Sequence, residues 1–326
     1  MREIRSGALK VPVAKFALHD YLSTQRSAVD RALERYIKNQ SDGSQALWQA
    51  MRYGLFPGGK RIRPILTLAA GELFGGNRRE LLPFACAVEM IHAYSLIHDD
   101  LPALDDDDLR RGLPTAHKVF GEGMALLAGD GLLTEAFRLI SGPATRCLKA
   151  DVVLDLIHEL GRAAGVGGLV GGQAFDLEAE KYSVDIAAVN SMHARKTGAL
   201  ILAAVKIGAR AGGANSLEAK RITRFGTFVG LAFQIADDIL DVASEDGQEE
   251  SGRKEANKAT YPSVVGMEKS RERLTELTRQ AVNSLTPFGS GAEPLRGIAM
   301  YVAERALCTE SNFEKKRIGW KNDALA

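Results

Sequence analysis

The chain has few cysteines and no cysteine pattern. Three occur in 326 residues, at Cys86, Cys147 and Cys308, and none has the CxxC spacing of a zinc or redox site. A sparse, odd count argues against a disulfide framework and indicates reduced thiols in a cytoplasmic protein. The basic N-terminus holds no apolar stretch of signal-peptide length. No run approaches the roughly 20 apolar residues that span a bilayer, so any apolar substrate must come to a soluble protein.

An excess of one charge is also missing. The chain has 42 basic and 41 acidic residues, a formal net charge of +1, and so no overall field that favours nucleic acid or an anionic membrane. Strand-like alternation, sequence repeats and low-complexity linkers are absent, whereas helical periodicity recurs. The 45% hydrophobic content is ample for a core. The sequence predicts an all-α, single-domain protein over residues 1–326, with an N-terminal arm (1–22) and a C-terminal tail (308–326).

A dense acidic cluster ends an apolar helical run in residues 92–112, HAYSLIHDDLPALDDDDLRRG. Six aspartates occupy ten positions, followed by two arginines: Asp99, Asp100, Asp105, Asp106, Asp107, Asp108, Arg110 and Arg111. Like charges this close repel unless something neutralises them. Mg²⁺, with oxygen ligands from carboxylates, water and substrate phosphates, is the usual partner. Taken alone, the cluster is also compatible with a solvated acidic loop.

A second acidic cluster lies in residues 225–243, which are otherwise apolar almost throughout. Asp237 and Asp241 are four residues apart and share a helix face, with Gln234 one turn earlier on the same stripe. Carboxylates in an apolar helix are costly to bury unless they are paired or metal-bound. The two clusters predict opposed helix ends that share a metal centre and bind a diphosphate through Mg²⁺. The alternative is two unrelated surface patches.

Other motifs carry cations or small residues. GGKRIRP, residues 58–64, places clustered cations after two glycines, which suits a diphosphate; a basic helix start on the surface is the alternative. The glycine-rich segment 165–177 lacks the context of a dinucleotide fold and predicts close helix packing, with Gln173 and Asp176 as polar positions. Lys196 stands at the edge of an apolar helix, where it either serves the site or reaches water.

Helix boundaries follow from caps and breakers. Ser23 is a candidate cap for a first helix with Val29, Leu33 and Ile37 on one face, and Ser44 is a candidate cap for the second. Pro102 interrupts the helix that carries the first cluster. Because Asp99 and Asp105 are six residues apart, we expect a local bulge there to bring both onto one side.

The chain resembles trans-prenyl diphosphate synthases, most closely the bacterial farnesyl diphosphate synthases. The resemblance covers residues 44–306 through the motifs GGKRIRP, HDDLPALDDDDLRRG, GQAFDL, KTGAL, FQIADDILD and KATYP, in that order. It implies a helical fold around a deep central cavity, a homodimer, and Mg²⁺-dependent head-to-tail condensation of isopentenyl diphosphate with an allylic diphosphate. The product implied is farnesyl diphosphate, with geranylgeranyl or geranyl diphosphate as alternatives.

The resemblance also implies roles for individual residues. Three Mg²⁺ ions are expected, and the implied metal ligands are Asp99, Asp100, Asp105, Asp237 and Asp241. The cations implied on the allylic diphosphate are Arg110, Lys196 and Lys258. The implied site for isopentenyl diphosphate is formed by Lys60, Arg63, His92 and Arg111. Thr197 and Gln234 match the residues whose oxygens face the forming allylic cation. The expected catalytic set is Asp99, Asp105, Asp237, Lys196, Thr197 and Gln234, with no nucleophile or general base from the protein.

Product length has a physical argument of its own. The growing chain extends away from the metals along the helix that carries Asp99. Residues four to five positions earlier, Ser95 and Tyr94, lie about 6–8 Å below it at a rise of 1.5 Å per residue. We expect the ring of Tyr94 to floor the cavity and stop growth at the farnesyl length. The alternative is that Tyr94 only packs between helices.

The loop after Asp241 departs from the family pattern. Gly247-Gln248 stands where a Gly-Lys is usual, and Arg253 where an aspartate is usual; Arg253 or Lys254 can substitute for the missing lysine. Rival functions are a class I terpene cyclase, a non-catalytic subunit of a heteromeric synthase, and a metal-dependent phosphohydrolase. The intact DDILD and GGKRIRP motifs argue against the cyclase, and the complete set of aspartates argues against the non-catalytic subunit.

Overall fold

The computed structural model describes residues 16–38, 44–56, 58–179, 186–245 and 260–307, with side chains to residue 243 in the fourth range. Within these ranges the helices are α1 (Leu18–Tyr36), α2 (Gln45–Leu55), α3 (Ile62–Leu73), α4 (Arg78–Asp99), α5 (Ala116–Phe120), α6 (Glu122–Ser141), α7 (Ala150–Ala164), α8 (Leu169–Ala179), α9 (Ile186–His193), α10 (Ala199–Ala211), α11 (Ser216–Glu245), α12 (Tyr261–Val265), α13 (Met267–Ser284) and α14 (Glu293–Leu307). A π-helical turn (Ala194–Gly198) joins α9 to α10, and 3₁₀ turns occupy Pro143–Thr145 and Thr286–Ala292. The all-α prediction is confirmed.

One short β-ladder accompanies the helices. Strands β1 (Leu109–Arg110) and β2 (Leu113–Pro114) pair antiparallel, with Leu109 opposite Pro114 and Arg110 opposite Leu113. The sequence did not predict it, because two residues per strand are too few for an alternation of polar and apolar residues. The hairpin places Arg110 beside the first acidic cluster.

The first helix begins earlier than predicted. Its first residue is Leu18 rather than one after Ser23, so the prediction of Ser23 as a cap is wrong. No side chain caps the helix start. Long-range contacts hold this first turn instead: Tyr21 donates a hydrogen bond to Glu72 of α3 (3.0 Å), and the buried Gln25 donates to the same carboxylate.

Two other boundaries test the sequence analysis. Ser44 caps α2 as predicted, since its hydroxyl accepts a hydrogen bond from the backbone N–H of Leu47 at 3.4 Å. The segment from Tyr261 to Ser284 is divided into α12 and α13. Gly266, with φ of 87°, lies between them in a conformation that a helix interior does not allow.

Helix α4 runs through the hydrophobic core. Most of its residues from Leu81 to Ile97 are buried, and it packs against α1, α2, α3, α6 and α10. By length and composition, α4 is the one helix among the described residues that could cross a membrane. The sequence analysis did not identify it, because it considered only uninterrupted apolar runs. However, 83% of its most hydrophobic window is buried inside the protein, as in the core helix of a soluble fold. Its last residue is Asp99, so the core helix ends at the acidic cluster.

Glycines let two helices approach this region. A Cβ on Gly129 of α6 would lie 2.1 Å from Nε2 of His98, and one on Gly172 of α8 would lie 2.2 Å from the backbone nitrogen of Lys196. Side chains at either position would force the helices apart. The close helix packing predicted for the glycine-rich segment 165–177 is therefore confirmed at Gly172, and it positions Lys196.

Candidate active site

The first acidic cluster folds back on itself. The backbone N–H of Asp105 donates to the carbonyl of Asp99 (2.8 Å), and that of Asp106 donates to Leu101 (3.1 Å). Asp106 has a φ of 54°, a left-handed conformation that reverses the chain. The predicted bulge at Leu101 and Pro102 is confirmed, and it brings Asp105 close enough to act electrostatically on Asp99.

The pair formed by Asp99 and Asp105 suits a hard cation. Burial, with the neighbouring charge of Asp105 adding to it, raises the pKa of Asp99 to about 6, against the opposing charge of Lys196. Among the described residues, no three His, Cys, Asp or Glu side chains form a group that could hold a metal ion. Mg²⁺ commonly uses one or two carboxylates and completes its shell with water and substrate phosphates. A largely buried carboxyl group with a second carboxyl group beside it fits that mode of binding.

Asp100 serves a different neighbour. Its carboxylate is buried, and Oδ1 accepts hydrogen bonds from Nε (2.8 Å) and Nη2 of Arg110. Arg110 also donates to Asp107 (3.0 Å). The hairpin β1–β2 thus places Arg110 between two aspartates of the cluster. The metal-ligand role predicted for Asp100 stays a prediction, and its observed contact orients Arg110.

A second group of cations surrounds the turn before α3. Arg111, which has a φ of 55°, donates a hydrogen bond to the carbonyl of Gly58. Lys60 is exposed on the same turn. The surrounding protein, and after it the positive charge of Arg305, lowers the pKa of Lys60 to about 8. A lysine crowded by other cations has a strong electrostatic preference for an anionic ligand.

Arg63 and His92 complete this group. Burial, followed by the charges of Arg63 and Arg111, keeps the pKa of His92 well below its ordinary value, so the ring is neutral at pH 7. Nε2 of His92 lies 3.2 Å from Nη1 of Arg63, and because arginine only donates, this nitrogen is the acceptor. The guanidinium of Arg63 also lies over the ring of Phe233 in α11. The structure thus brings together Lys60, Arg63, His92 and Arg111.

The π-helical turn supplies the third side of the site. Lys196 forms an ion pair with Asp176 of α8 and acts electrostatically on Asp99 and Asp105. Thr197 is buried and donates a hydrogen bond to Oε1 of Gln234 in α11. An extra residue in a helical turn redirects side chains, and such turns are frequent at functional sites. Lys196 therefore lies beside the first acidic cluster, and its role in the site stays a prediction.

Asp238 organises the wall formed by α11. It is 3% exposed, accepts from Nε2 of Gln234 (2.8 Å) through one oxygen and from the backbone N–H of Tyr261 (2.7 Å) through the other. Nε2 of His193 lies 3.6 Å from the second oxygen. Since Asp238 binds the amide group of Gln234, the side-chain oxygen of Gln234 is left to accept from Thr197.

The remaining predicted ligands lie on α11. Nη1 of Arg305 in α14 is 3.6 Å from Oδ1 of Asp237. The surrounding protein raises the pKa of Asp237 against the opposing charge of Arg305, although solvent still reaches 35% of the side chain. That combination describes a carboxylate within a cleft. Asp241 is exposed one turn later, and Lys258 lies outside the described residues.

The predicted chain-length residues are both buried on α4. Tyr94 is 5% exposed, and its ring packs edge-to-face on that of His98 at 5.7 Å between centroids. Burial, and then the charge of Asp99, raises the pKa of Tyr94 to about 12. Ser95 donates to the carbonyl of His92 (2.9 Å). Tyr94 therefore lies beneath the acidic cluster and within reach of its field.

Sequence reasoning missed several residues of this site. Asp176 was noted only as a polar position in a glycine-rich segment, and Asp238 was not singled out within the DDILD motif. Arg305 gave no signal, because its contact with Asp237 spans 68 residues of chain. A clue was available for Asp238, since a buried carboxylate in an apolar helix needs a partner.

Comparisons with known proteins agree with this geometry. Residues 44–286 match the family model described as polyprenyl synthetase. The farnesyl diphosphate synthase of Geobacillus stearothermophilus is 46% identical over 267 residues, which are 80% of this chain and 89% of that protein. The large subunit 1 of a chloroplastic heterodimeric geranylgeranyl pyrophosphate synthase of Arabidopsis thaliana is 42% identical over 300 residues, 90% of this chain and 80% of that protein.

A solved structure shows the same fold. The apo crystal structure of an FPP/GFPP synthase from Zymomonas mobilis superposes with a TM-score of 0.80 at 40% identity and covers 88% of this chain and 98% of that one. These relatives differ in the product lengths in their names, so membership of the family does not by itself specify the product. With the acidic turn, the cation groups and the α11 wall in place, the chain belongs to the polyprenyl synthetase family.

Proposed function

We propose that the protein condenses isopentenyl diphosphate head-to-tail with dimethylallyl and then geranyl diphosphate to form farnesyl diphosphate. The observation that carries the proposal is the arrangement around the end of α4. There the Asp99–Asp105 pair adjoins one group of cations, while the turn before α3 adjoins another. Two diphosphates need two such groups, one of them with a metal.

Asp99 and Asp105, with Asp237 and Asp241 on α11, would hold three Mg²⁺ ions against the allylic diphosphate. Bound there, Mg²⁺ supplies Lewis-acid and electrostatic stabilisation of the leaving diphosphate. Arg110 and Lys196 bind the same diphosphate with their own charges, and Lys258 is proposed as a third cation. Asp100 and Asp176 hold Arg110 and Lys196 in place through the ion pairs described above.

Thr197 and Gln234 stabilise the allylic cation as the diphosphate leaves. Because Thr197 donates its proton to Gln234, the lone pairs of its hydroxyl oxygen stay available to a positive centre. Asp238 holds the amide group of Gln234 and so maintains that orientation. Lys60, Arg63, His92 and Arg111 bind isopentenyl diphosphate, whose double bond then attacks the cation. The carbocation that results loses a proton to the released diphosphate, which forms the double bond of the product. No protein nucleophile is needed.

Tyr94 supports the farnesyl product. It is an aromatic residue five positions before Asp99, it is buried, and the charge of Asp99 affects its pKa. A ring at this depth limits growth to three isoprene units in our proposal. Geranylgeranyl diphosphate is the alternative, because the relatives include a geranylgeranyl synthase subunit at 42% identity; a farnesyl diphosphate synthase is 46% identical, so identity does not favour that alternative.

We also propose a homodimer whose interface includes α5 and α6. Three large apolar side chains, Val119, Leu126 and Leu127, are between 47% and 53% exposed there. Large apolar side chains exposed on two successive helices favour a protein partner. The predicted cytoplasmic location stays a prediction.

The experiment is to incubate the purified protein with Mg²⁺, isopentenyl diphosphate and each allylic diphosphate, and to size the products by chromatography. We expect dimethylallyl and geranyl diphosphate to be extended to the farnesyl length, with no activity in EDTA. Cyclic hydrocarbons, release of phosphate alone, or no product with any allylic substrate would contradict the proposal. A longer linear product would overturn only the farnesyl assignment.

A further inference from the structure

Arg61 lies between two proposed substrate-binding cations, but its own side chain turns into the core. It is 5% exposed. Its guanidinium donates through Nε to Asp30 of α1 (2.9 Å), through Nη1 to Glu89 of α4 (2.7 Å), and through Nη2 to the carbonyl of Leu55, the last residue of α2 (2.8 Å). One side chain therefore ties three helices to the turn that precedes α3.

The backbone at Arg61 is strained. Its φ of 50° and ψ of 33° lie in the left-handed region, where a residue with a Cβ pays a steric cost that glycine avoids. Gly58 and Gly59 before it also have positive φ, of 78° and 140°. Arg61 immediately precedes α3, so its backbone conformation sets the direction in which α3, with Arg63 in its first turn, leaves Lys60.

The anchor is continuous with the proposed isopentenyl diphosphate site. Glu89 is one helical turn before His92 on α4, and His92 contacts Arg63 at 3.2 Å. On the other side of the turn, Arg111 donates to the carbonyl of Gly58. The ion pair of Arg61 and Glu89 thus sets the position of the turn relative to the helix that carries His92.

Stabilisation of the fold is a weak explanation for the buried ion pair of Arg61 and Glu89. The side chains of Arg61 and Glu89 are 3% and 4% exposed, and the desolvation of two buried charges commonly offsets their attraction, so that apolar replacements of both are tolerated. We propose that Arg61 is a positioning residue, which places Lys60 and Arg63 to bind the diphosphate of isopentenyl diphosphate. The inference rests on the proposed function, in which Lys60 and Arg63 contact that diphosphate.

The test replaces both members of the pair, Arg61→Met with Glu89→Met, so that no buried charge is left alone and the net charge near the site is unchanged. Isothermal titration with isopentenyl diphosphate and steady-state kinetics are the readouts. We expect the Kd and KM for isopentenyl diphosphate to rise about tenfold, while the KM for the allylic substrate stays within about twofold. Unchanged affinity for isopentenyl diphosphate in the folded double variant would overturn the inference.

Two further variants separate position from stability. Asp30→Asn keeps the shape of a partly exposed anchor and weakens one bond; we expect about a threefold rise in the KM for isopentenyl diphosphate, and no rise would count against the inference. The control is Arg52→Met, since Arg52 of α2 donates to Glu34 and to the carbonyl of Ile37, and to none of the groups that hold Arg61. It should lower Tm and leave both KM values unchanged. If Arg52→Met raised the KM for isopentenyl diphosphate selectively and as much as the double variant does, the positioning role of Arg61 would be overturned.

A direct-contact variant keeps the two proposals distinguishable. If Arg63→Gln does not weaken binding of isopentenyl diphosphate, the proposed site itself fails and the role of Arg61 fails with it. If Arg63→Gln weakens binding and the double variant does not, the site stands and only the inference about Arg61 is overturned.

Discussion

At the scale of single residues, Lys60 makes substrate affinity depend on pH. Its pKa is lowered to about 8, so the ammonium group is present below that pH and lost above it. Only the charged form attracts a diphosphate. We expect the KM for isopentenyl diphosphate to rise between about pH 7 and about pH 9, by up to about tenfold for each unit above the pKa. Steady-state kinetics at fixed ionic strength measure it.

The matched control is Lys60→Arg, since arginine remains charged throughout this range. Any pH dependence that belongs to the substrate or to other groups is common to both enzymes. The interpretation of Lys60 fails if the two proteins show the same rise in KM.

Tyr94 carries the prediction about product length. Truncation of the ring by Tyr94→Ala opens space at the depth where the farnesyl chain is proposed to end. We expect the main product to lengthen by at least about one isoprene unit, measured by mass spectrometry of the dephosphorylated products. Tyr94→Phe keeps the ring and should leave product length unchanged. A farnesyl product from Tyr94→Ala would show that Tyr94 only packs between helices.

At the scale of secondary-structure elements, the contact of α8 with the π-helical turn determines where Lys196 lies. A Cβ added at Gly172 would lie 2.2 Å from the backbone nitrogen of Lys196, and backbone cannot rotate away. We expect Gly172→Ala to lower the free energy of unfolding by about 1–3 kcal/mol and to reduce kcat, because Lys196 and Thr197 must shift. Denaturant unfolding and steady-state kinetics measure the two effects.

Gly123→Ala is the control for this substitution. Gly123 lies in α6, and a Cβ there meets no atom within 4 Å. This variant should gain about 0.4–1 kcal/mol from the reduced entropy of the unfolded chain, with kcat unchanged. Wild-type kcat and stability in Gly172→Ala would refute the close-contact argument.

The residues with a strained backbone lie in the connections between secondary-structure elements. Among the described residues, the non-glycine positions with positive φ are Arg61, Asp106 and Arg111. Each lies in a short connection that bears charges of the proposed site. Strain of this kind persists only where neighbouring contacts hold it, and it clusters at functional sites. Local propensity would have placed these residues in ordinary turns.

At the scale of the whole molecule, the exposed leucines of α6 predict that two copies of the chain associate. We expect Leu127→Glu to convert a dimer into a monomer, because a buried charge at an apolar interface is unpaired. Light scattering after size-exclusion chromatography measures the mass. Leu217→Glu on α11, where the leucine is 57% exposed, is a matched substitution that should leave the mass unchanged. A monomeric wild-type protein, or dissociation by both variants, would contradict the assignment of the interface.

The sequence by itself determined the helical class, the family and the approximate position of most helices. Apolar periodicity and local breakers such as Pro102 act over a few residues, so they can be read without the fold. The same holds for the two aspartate motifs and for the bulge between Asp99 and Asp105, since the order and spacing of their residues carry the information.

Only the tertiary structure decided how those motifs are supported. The supporting contacts join residues that are far apart along the chain. They are the ion pairs of Arg61 with Asp30 and Glu89, the contact of Arg305 with Asp237, and the hydrogen bond that the backbone N–H of Tyr261 donates to Asp238. The early start of α1 at Leu18 likewise depends on α3 rather than on a cap. Such contacts form because burial requires each polar group to find a partner, and which partner lies near depends on how the helices pack.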